Sequence, residues 1–398
     1  MVECNNHHKK GFTVKQLFTV LSFILAAMCS TMANHAHANE TIETAAKQAI
    51  IIDYDTGTVL FEKNADQKMP TSSMSKVMTM YLIFDALQRG DLSLDDEFLV
   101  SEKAWKKGGS KMFVPVGKKI KIEDLIRGVI IQSGNDATIV LAEGLAGSEE
   151  AFAEALNNKA RELGMKDSHF MNASGWPDPD HYSTARDLAT MAKAIIKNFP
   201  DYYGYYAEKS FTYSKIKQAN RNPLLNLDIG ADGIKTGHTD DGGYGLIASG
   251  ISKDGRRVVM VLNGMASKKE RKTESARLLQ WALNGFKTVT LFDNEKPLGE
   301  AAVYLGVNTK VPLIAEKAVN FVVPKIFVRD LKVELYYNAP LKAPITKGQN
   351  IGTVKVHIPK GEVIEVPLIA ARNVAGIGFF PRLIKKARLL TTGQGKFN

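Results

Sequence analysis

The order in which strand-like and helix-like patterns follow one another constrains the fold of this chain more than any other feature. Apolar patterns over 49–61 predict a β-hairpin, and apolar residues at helical spacing over 73–88 and 122–163 predict helices. Strand patterns return over 245–262, and a further helix is predicted over 268–285. Strands at both ends of one region, with helices between them, indicate an α+β fold in which an antiparallel sheet is flanked by helices.

A second domain is expected because the pattern changes near residue 286. The segments 319–323, 331–336 and 354–358 are short, β-branched and separated by Pro, Gly and Asn, and no long helical pattern occurs before residue 370. A chain of 398 residues is long enough for two domains. We therefore expect a first domain over 39–286 and a small all-β, sandwich-like domain over 287–370.

The N-terminal segment has the pattern of an export signal. Three lysines precede an apolar run over 17–28, and small residues follow, ending in Ala36-His37-Ala38. A basic region, a short apolar run and an A-x-A site predict a secretory signal peptide over 1–38. The run is shorter than the ~20 residues of a comfortable membrane span. An uncleaved N-terminal anchor is the alternative.

The positions of the two cysteines agree with export. Cys4 and Cys29 both lie within the predicted signal peptide, so the mature chain would have no disulfide and no thiol chemistry. A lipoprotein site at Cys29 is an alternative, but Met28 stands where such a site requires a small residue. We expect an exported protein that folds without redox chemistry.

The first of three candidate motifs is Ser73-Met74-Ser75-Lys76, in a predicted helix. Residues three apart share a helix face, which places the Lys76 amine beside the Ser73 hydroxyl. An amine held neutral by burial and nearby positive charge can take the hydroxyl proton and activate the serine as a nucleophile. The spacing alone is not specific, because Ser214 and Lys217 share it in a stretch where we expect no function.

The second motif, Ser133-Gly134-Asn135, lies between two helical segments. Ser and Asn are favoured helix N-caps, and on this motif alone the cap is the favoured interpretation. In the functional interpretation, the Ser133 hydroxyl relays protons while the Asn135 amide fixes a substrate amide and Lys76.

The third motif, Lys235-Thr236-Gly237, is followed by His238 and occurs once in the chain. An exposed strand lysine before a turn glycine is the structural interpretation. In the functional interpretation, Lys235 supplies positive potential for an anionic substrate end and Thr236 donates a hydrogen bond to that carboxylate. Gly237 would let a substrate backbone lie against the strand.

These motifs give the chain a resemblance to a known family. Ser-x-x-Lys, Ser-x-Asn and Lys-Thr-Gly in this order are the set found in penicillin-binding proteins and class A β-lactamases. The segments 51–54, 183–187, 232–239 and 278–281 are similar to those of the low-molecular-mass penicillin-binding proteins. More narrowly, the chain resembles the D-alanyl-D-alanine carboxypeptidases of peptidase family S11, over nearly all of the predicted mature chain.

The resemblance implies a reaction and its site residues. Ser73 would attack the carbonyl between the two D-alanines that end a peptidoglycan stem peptide, with Lys76 as base. An acyl-enzyme would form, D-alanine would leave, and water would hydrolyse the ester; penicillin would acylate the same serine. The backbone N–H groups of Ser73 and His238 would form the oxyanion hole, and Lys235 and Thr236 would hold the terminal carboxylate.

Two arginines enter the prediction through the same resemblance. Arg186 and Arg271 match positions that support the carboxylate site in similar enzymes, and a surface or helix-packing role is the alternative for each. His238 is expected to act mainly through its backbone.

Three other functions stay open. Class A β-lactamases need a glutamate that activates the deacylating water, whereas 171–180 contains none and Gly134 stands where those enzymes typically carry Asp. A D,D-endopeptidase acting on cross-linked peptidoglycan would use the same chemistry, and the appended β domain favours a carboxypeptidase. A non-catalytic wall-binding or β-lactam-sensing module would be expected to lose Ser73, Lys76 or Lys235.

The last predicted segment, residues 371–398, carries six basic residues and no acidic one. At about 100° per residue its apolar residues fall mainly on one side of a helix, opposite most of the basic ones. This pattern predicts an amphipathic helix lying on an anionic membrane surface, and a helix docked on its own protein is the alternative. The apolar side consists of Phe380, Leu383, Ile384, Ala387 and Leu390.

The formal net charge of +10 favours an anionic partner, which could be a membrane, a cell-wall polymer or a nucleic acid. Predicted export removes nucleic acid from that set. The expected partners are therefore peptidoglycan stem peptides, β-lactams and the anionic periplasmic face of the cytoplasmic membrane. No metal or other cofactor is expected, because His169, His181 and His357 lack ligand-like spacing.

Overall fold

The structure is a computed structural model, and it describes residues 42–292, 296–359, 361 and 363–384. The predicted signal peptide over 1–38 and the end of the predicted tail over 385–398 lie outside the described residues.

The described chain divides into two units. The first consists of residues 43–289 together with 320–326, and the second of the rest from residue 290 onward. Residues 320–326, which the predicted boundary after residue 286 assigned to the second domain, group with the first unit. The reason is strand pairing, because the strand Val319–Pro324 pairs with the strand Phe286–Leu291, which directly follows the last helix of the first unit.

Helices and strands alternate irregularly through the first unit. In chain order they are β1 (Gln48–Asp53), β2 (Val59–Lys63), α1 (Lys76–Arg89), β3 (Glu97–Leu99), α2 (Glu102–Lys106), β4 (Lys119–Lys121), α3 (Ile122–Ile130), α4 (Asn135–Ala146), α5 (Glu149–Glu162), α6 (Ala185–Asn198), α7 (Pro200–Tyr203), β5 (Ser210–Tyr213), β6 (Ile216–Ala219), β7 (Ala231–Thr239), β8 (Gly243–Ile251), β9 (Arg257–Met265), α8 (Lys268–Asn284) and β10 (Phe286–Leu291).

The main sheet of this unit has five antiparallel strands in the order β2-β1-β9-β8-β7. Residues of β1, β8 and β9 are buried almost throughout, as expected when helices cover both faces of a sheet. The order leaves β7 at an edge, so one row of its backbone N–H and C=O groups is not used within the sheet. The predicted antiparallel sheet flanked by helices is confirmed.

Several helices of this unit begin at side-chain caps. Ser101, Ser148, Thr184 and Ser267 each accept a hydrogen bond from the backbone N–H three residues further on, where α2, α5, α6 and α8 begin. Helix α1 is instead buried nearly all round, with ten of its 14 residues inside the unit. Its first residue, Lys76, is one of them.

The second unit is all-β, as predicted. Its strands and the strand that it shares with the first unit are β11 (Gly299–Tyr304), β12 (Lys310–Ala315), β13 (Val319–Pro324), β14 (Lys332–Tyr337), β15 (Leu341–Lys342), β16 (Asn350–His357) and β17 (Val363–Ala370). Six of them form one sheet in the order β14-β16-β17-β12-β11-β15, while β13 pairs with β10. The all-β character of this unit is confirmed, and its sandwich-like packing stays a prediction.

The start of the predicted amphipathic tail is helical over 379–384. Its apolar side chains are highly exposed, with 71% of Phe379, 77% of Phe380, 58% of Leu383 and 62% of Ile384 open to solvent. Among the residues that the structure describes, no helix is both long enough and apolar enough to cross a membrane.

Candidate active site

Ser73 lies in a tight turn at the entrance to α1. The turn is the 3-10 helix Ser72–Ser75, so the α-helix begins at Lys76 and not at Ser73 as predicted. Ser72 adopts the left-handed conformation with φ of 51°. The turn packs directly against Gly175, where a Cβ atom would lie 1.8 Å from the Ser72 carbonyl oxygen. Only glycine fits there, and this close approach holds the turn in place.

Lys76 is completely buried and has three polar neighbours. Its Nζ lies 2.9 Å from Ser73 Oγ, 2.7 Å from Asn135 Oδ1 and 2.6 Å from the Ser174 carbonyl oxygen. The last two oxygens can only accept hydrogen bonds. A neutral Lys76 amine therefore donates its two hydrogens to them and turns its lone pair toward the Ser73 hydroxyl.

The pKa of Lys76 is suited to this neutral form. Burial lowers it from the usual value of 10.5 to about 7, and the positive charge of Arg221 acts in the same direction. Asp136 opposes the shift. A substantial fraction of Lys76 is therefore unprotonated near pH 7 and able to accept a proton.

Asn135 is the first residue of α4 and is fixed at both ends of its amide. Its Oδ1 accepts from Lys76 Nζ, while its Nδ2 donates to the Gly108 carbonyl at 2.9 Å. The helix cap is Gly134, without a side-chain cap bond, so the N-cap interpretation of this motif is wrong. Asn135 holds Lys76 in place, as in the functional interpretation.

Gly134 has no room for a side chain. A Cβ atom would lie 2.9 Å from Asp136 Oδ1 and 3.0 Å from the Met112 backbone nitrogen. Asp136 itself accepts hydrogen bonds from the backbone N–H groups of Met112 and Phe113, each at 2.8 Å, and so fastens the loop between α2 and β4 to the start of α4. The aspartate that class A β-lactamases typically carry at position 134 could not be accommodated here.

Lys235 and Thr236 are both buried on the edge strand β7. Lys235 Nζ donates to Ser133 Oγ at 3.0 Å, which joins the second and third motifs. The interpretation of Lys235 as an exposed strand lysine is therefore wrong. Burial lowers the pKa of Lys235 well below its usual value, and the positive charges of Lys76, Arg221 and Arg271 add to this effect.

Lys235, Arg221 and Arg271 form a positive cluster next to Lys76. Among the hydrogen bonds and ion pairs of the described residues, neither Lys76 nor Lys235 has a carboxylate partner. An anion bound here would relieve the repulsion among the cluster and would raise the pKa of Lys235. The cluster is therefore suited to hold a carboxylate.

Gly237 lies where β7 meets the Ser73 turn. A Cβ atom on Gly237 would lie 2.9 Å from the Thr71 carbonyl oxygen and 3.0 Å from Met74 Cγ, so the glycine faces the Ser73 turn. It allows β7 to approach that turn, and its predicted contact with a substrate backbone stays a prediction. Arg271, buried behind β7, donates weakly to the Gly237 carbonyl at 3.4 Å.

The side chain of His238 is exposed and stacks on Tyr244, with ring centres 3.9 Å apart. It makes no contact with Ser73 or Lys76 among the hydrogen bonds of the described residues. Its neighbour Gly237 is the residue that closely approaches the Ser73 turn.

The contacts of Arg186 hold its side chain away from this site. It lies at the start of α6, bonds Asp66 at 2.6 Å and Glu62 at 2.7 Å, and is 38% exposed. This is the surface arrangement that was the alternative, so the expected support of the carboxylate site is not found. The arginine whose charge acts on Lys76 and Lys235 is instead Arg221, which donates a hydrogen bond to Ser110 Oγ.

Three residues of the site lie in stretches of sequence that contain no recognisable motif. Arg221 lies in a loop without a motif, and Ser174 contributes only a backbone carbonyl, which every residue has. His181 is buried beneath the loop that carries Ser174 and bonds Ser75 Oγ at 2.8 Å. Their positions follow only from how distant segments pack.

The deacylating glutamate of class A β-lactamases has no counterpart beside Ser73 in the described chain. The nearby Glu149 is turned to the other side of the loop, where it accepts a hydrogen bond from the Ala173 N–H at 3.3 Å and pairs with Lys103 at 3.1 Å.

A cleft of about 470 Å³ opens beside the Ser73 turn, and Ser72, Trp176 and Thr239 contribute to its walls.

Comparison with known proteins agrees with this geometry. Residues 32–266 match the family model described as D-alanyl-D-alanine carboxypeptidase, peptidase S11, and residues 286–375 match that of the penicillin-binding protein 5 C-terminal domain. The D-alanyl-D-alanine carboxypeptidase DacC of Escherichia coli is 38% identical over 357 residues, which cover 87% of this chain and 89% of that protein.

Solved structures are similar over both units. The D-alanyl-D-alanine carboxypeptidase DacD from Francisella tularensis matches with a TM-score of 0.77 and 32% identity, covering 84% of this chain and 95% of that one. Penicillin binding protein 5 from Haemophilus influenzae matches with a TM-score of 0.70 and 36% identity, covering 84% and 98%. The chain therefore belongs to the D-alanyl-D-alanine carboxypeptidases of peptidase family S11.

Proposed function

We propose that this protein is a serine-type D-Ala-D-Ala carboxypeptidase. It removes the terminal D-alanine from peptidoglycan stem pentapeptides through an acyl-enzyme, and penicillin acylates it. One observation carries the proposal: the buried Lys76 amine lies 2.9 Å from Ser73 Oγ, and its two other partners are carbonyl oxygens. This is the arrangement of a nucleophile with its base.

In the acylation step, Lys76 takes the Ser73 hydroxyl proton as Oγ bonds to the carbonyl carbon between the two D-alanines. The oxyanion that forms accepts hydrogen bonds from the backbone N–H groups of Ser73 and His238, a kind of stabilisation typically worth about 100-fold or more in rate per donor. Lys76 then gives its proton to the leaving amine, the C–N bond breaks, and an ester joins Ser73 to the rest of the stem peptide.

In the deacylation step, water replaces the departed amine. Lys76, neutral again, accepts a proton from the water as its oxygen attacks the ester carbon, and the proton then passes to Ser73 Oγ as the ester breaks. Penicillin follows the first step but keeps its leaving amine tethered to the acyl group. We expect its release to be slow, because no glutamate stands beside Ser73 in the described chain.

The terminal carboxylate of the substrate binds the positive cluster. Lys235, Thr236 and Arg221 surround this position, and Arg271 adds positive charge from behind β7. The open edge of β7 offers backbone groups to the substrate chain, which binds as an added strand.

Loss of the charge on Lys235 is expected to weaken substrate binding. Lys235→Gln keeps a donor for Ser133 but cannot pair with a carboxylate, so kcat/KM for the pentapeptide should fall about 10- to 100-fold, mainly through KM, since a hydrogen bond to a charged group contributes ~1.5–3 kcal/mol. Lys253→Gln, at an exposed turn position, is the matched control and should leave kcat/KM unchanged. An unchanged KM in Lys235→Gln would place the carboxylate elsewhere.

Mass spectrometry of a stem pentapeptide ending in D-Ala-D-Ala, incubated with the full chain, tests the proposed function. Loss of one alanine supports the carboxypeptidase. Cleavage of cross-linked peptide dimers without that loss would identify a D,D-endopeptidase. Acylation by penicillin without any peptide hydrolysis would identify a sensor, and rapid turnover of benzylpenicillin would identify a β-lactamase.

The same proposal places the protein at the periplasmic face of the cytoplasmic membrane, where peptidoglycan is assembled. Export by the predicted signal peptide brings it there, and the tail attaches it as an amphipathic helix. The exposed apolar side chains over 379–384 support this role, since such a surface is normally covered by a partner or a lipid phase.

Removal of the tail is expected to release the protein from membranes. A chain ending at Ala371 should no longer sediment with anionic lipid vesicles, whereas the chain with its tail should. Leu383→Asp is the single-residue version and should reduce binding by at least tenfold, because it places a charge among the lipid-facing residues. A truncated chain that still sediments with the vesicles would refute the attachment.

A further inference from the structure

We infer that His181 is a positioning residue for the Ser73–Lys76 pair. It fastens the loop that carries Ser174 to the turn that carries Ser73, and it does so through the hydroxyl of Ser75. The inference rests on the proposed function, because it assigns a role within the same site.

His181 belongs to a buried chain of hydrogen bonds. Its Nε2 lies 2.8 Å from Ser75 Oγ, and Ser75 Oγ lies 2.5 Å from Thr71 Oγ1. On the other side of the ring, Nδ1 accepts the backbone N–H of Met171 at 3.2 Å. His181 is 5% exposed, Ser75 1% and Thr71 not at all, so water does not compete for these bonds.

These hydrogen-bond partners determine which atom carries each proton and donates it. A backbone N–H can only donate, so Nδ1 carries no proton and Nε2 carries the proton of a neutral ring. Nε2–H therefore donates to Ser75, and the Ser75 hydroxyl is left to donate to Thr71. A doubly protonated ring would lose the bond to Met171, so the arrangement requires neutral His181.

The surroundings keep the ring neutral. The pKa of His181 is lowered to about 4, mainly by burial; Asp178 opposes this shift, and the charges of His169 and Lys76 act in the same direction as burial. The edge of the ring packs against the face of Phe170, with ring centres 5.5 Å apart. At neutral pH the ring thus acts as a fixed donor and acceptor.

The loop held by His181 bonds α1 at two further points. The Ser174 carbonyl accepts from Lys76 Nζ at 2.6 Å, and the Ala173 carbonyl accepts from Thr79 Oγ1 at 2.6 Å. The Ser174 bond occupies one hydrogen of Lys76 and so helps aim the lone pair at Ser73. His181 secures the C-terminal end of this loop, and without it the Ser174 carbonyl would be free to shift away from Lys76.

Substitution of His181 by phenylalanine tests the role while keeping a ring of similar shape. In the full chain, His181→Phe should lower the rate constant of Ser73 acylation by penicillin about 10- to 100-fold, as for a displacement of about 1 Å in a reacting pair. The dissociation constant of the non-covalent penicillin complex should stay within about twofold, because the positive cluster is untouched. The matched control is His169→Phe, whose ring bonds only the Asp180 carbonyl among the described residues and which should acylate like the parent.

Two further variants separate positioning from general packing. His181→Gln supplies one donor and one acceptor and should restore most of the acylation rate. The double variant His181→Phe with Ser75→Ala should be no slower than the slower single variant, because both substitutions break the same connection. Parent-like acylation by His181→Phe, an equal loss in His169→Phe, no rescue by Gln, or additive losses would each overturn the inference.

Hydrogen exchange gives a readout that does not depend on activity. The Met171 amide should exchange at least tenfold faster in His181→Phe than in the parent, and slowly again in His181→Gln. If the parent released no D-alanine, the proposed function would fail while this measurement still tested the connection. Unchanged exchange in His181→Phe would refute the connection even in an active enzyme.

Discussion

Replacement of Ser73 by alanine is expected to abolish both release of D-alanine and covalent labelling by penicillin. Without Oγ there is no atom to form the ester, so kcat should fall by at least about 10⁴-fold, as for loss of other catalytic nucleophiles. The measurement is mass spectrometry of the pentapeptide and of the intact protein after incubation with penicillin. Ser73 is only half-buried, so the melting temperature should change little.

The chain contains its own matched control for this experiment. Ser214 and Lys217 repeat the Ser-x-x-Lys spacing, but Ser214 lies in the turn between β5 and β6 and outside any helix. Ser214→Ala should leave labelling and D-alanine release unchanged. Labelling that persisted in Ser73→Ala would assign the nucleophile to another residue.

Replacement of Lys76 by methionine is expected to have the second-largest effect. Methionine fills a similar volume but cannot accept a proton, so the acylation rate constant should fall about 10²- to 10⁴-fold, the range for loss of a general base. Stopped-flow labelling with a fluorescent penicillin measures this rate. Lys217→Met, on the exposed strand β6, is the control. Parent-like acylation by Lys76→Met would shift the role of base to Lys235, the other buried lysine of the site.

The pH dependence of acylation follows from the same residue. The reactive form of Lys76 is the neutral one, and its pKa is about 7. The acylation rate should therefore drop nearly tenfold for each pH unit below about 6 and level off above about 8, until other groups titrate. The low-pH limb should be absent in Lys76→Met.

Much of the catalytic pair could be inferred without coordinates, because it is local. Ser73 and Lys76 are three residues apart, and helical geometry alone places their side chains on one face. Strand and helix periodicity likewise led to the antiparallel sheet, and the resemblance of three ordered motifs led to the family. The N-cap interpretation of Ser133-Gly134-Asn135 was wrong because the amide of Asn135 has stronger partners in Lys76 and Gly108.

The environment of Ser73 and Lys76 is determined by residues that are distant from them in the sequence. Arg221 reaches Ser110 only because two distant segments pack together. Arg186 stays away from the site because Glu62 and Asp66 pair with it on the surface. Gly237 likewise faces the Ser73 turn because β7 packs against it, which no turn or strand preference encodes.

The sequence by itself led to the fold class and the order of the two domains, and it predicted Ser73 as the nucleophile and Lys76 as its base. Only the tertiary structure decided that Lys76 is wholly buried, that the Ser174 carbonyl accepts a hydrogen bond from it, and that His181 bonds Ser75. The physical reason is that periodicity reports neighbours within one helix or strand. Burial and contacts between remote segments depend on packing of the whole unit, and these set the pKa of Lys76 and hence the chemistry.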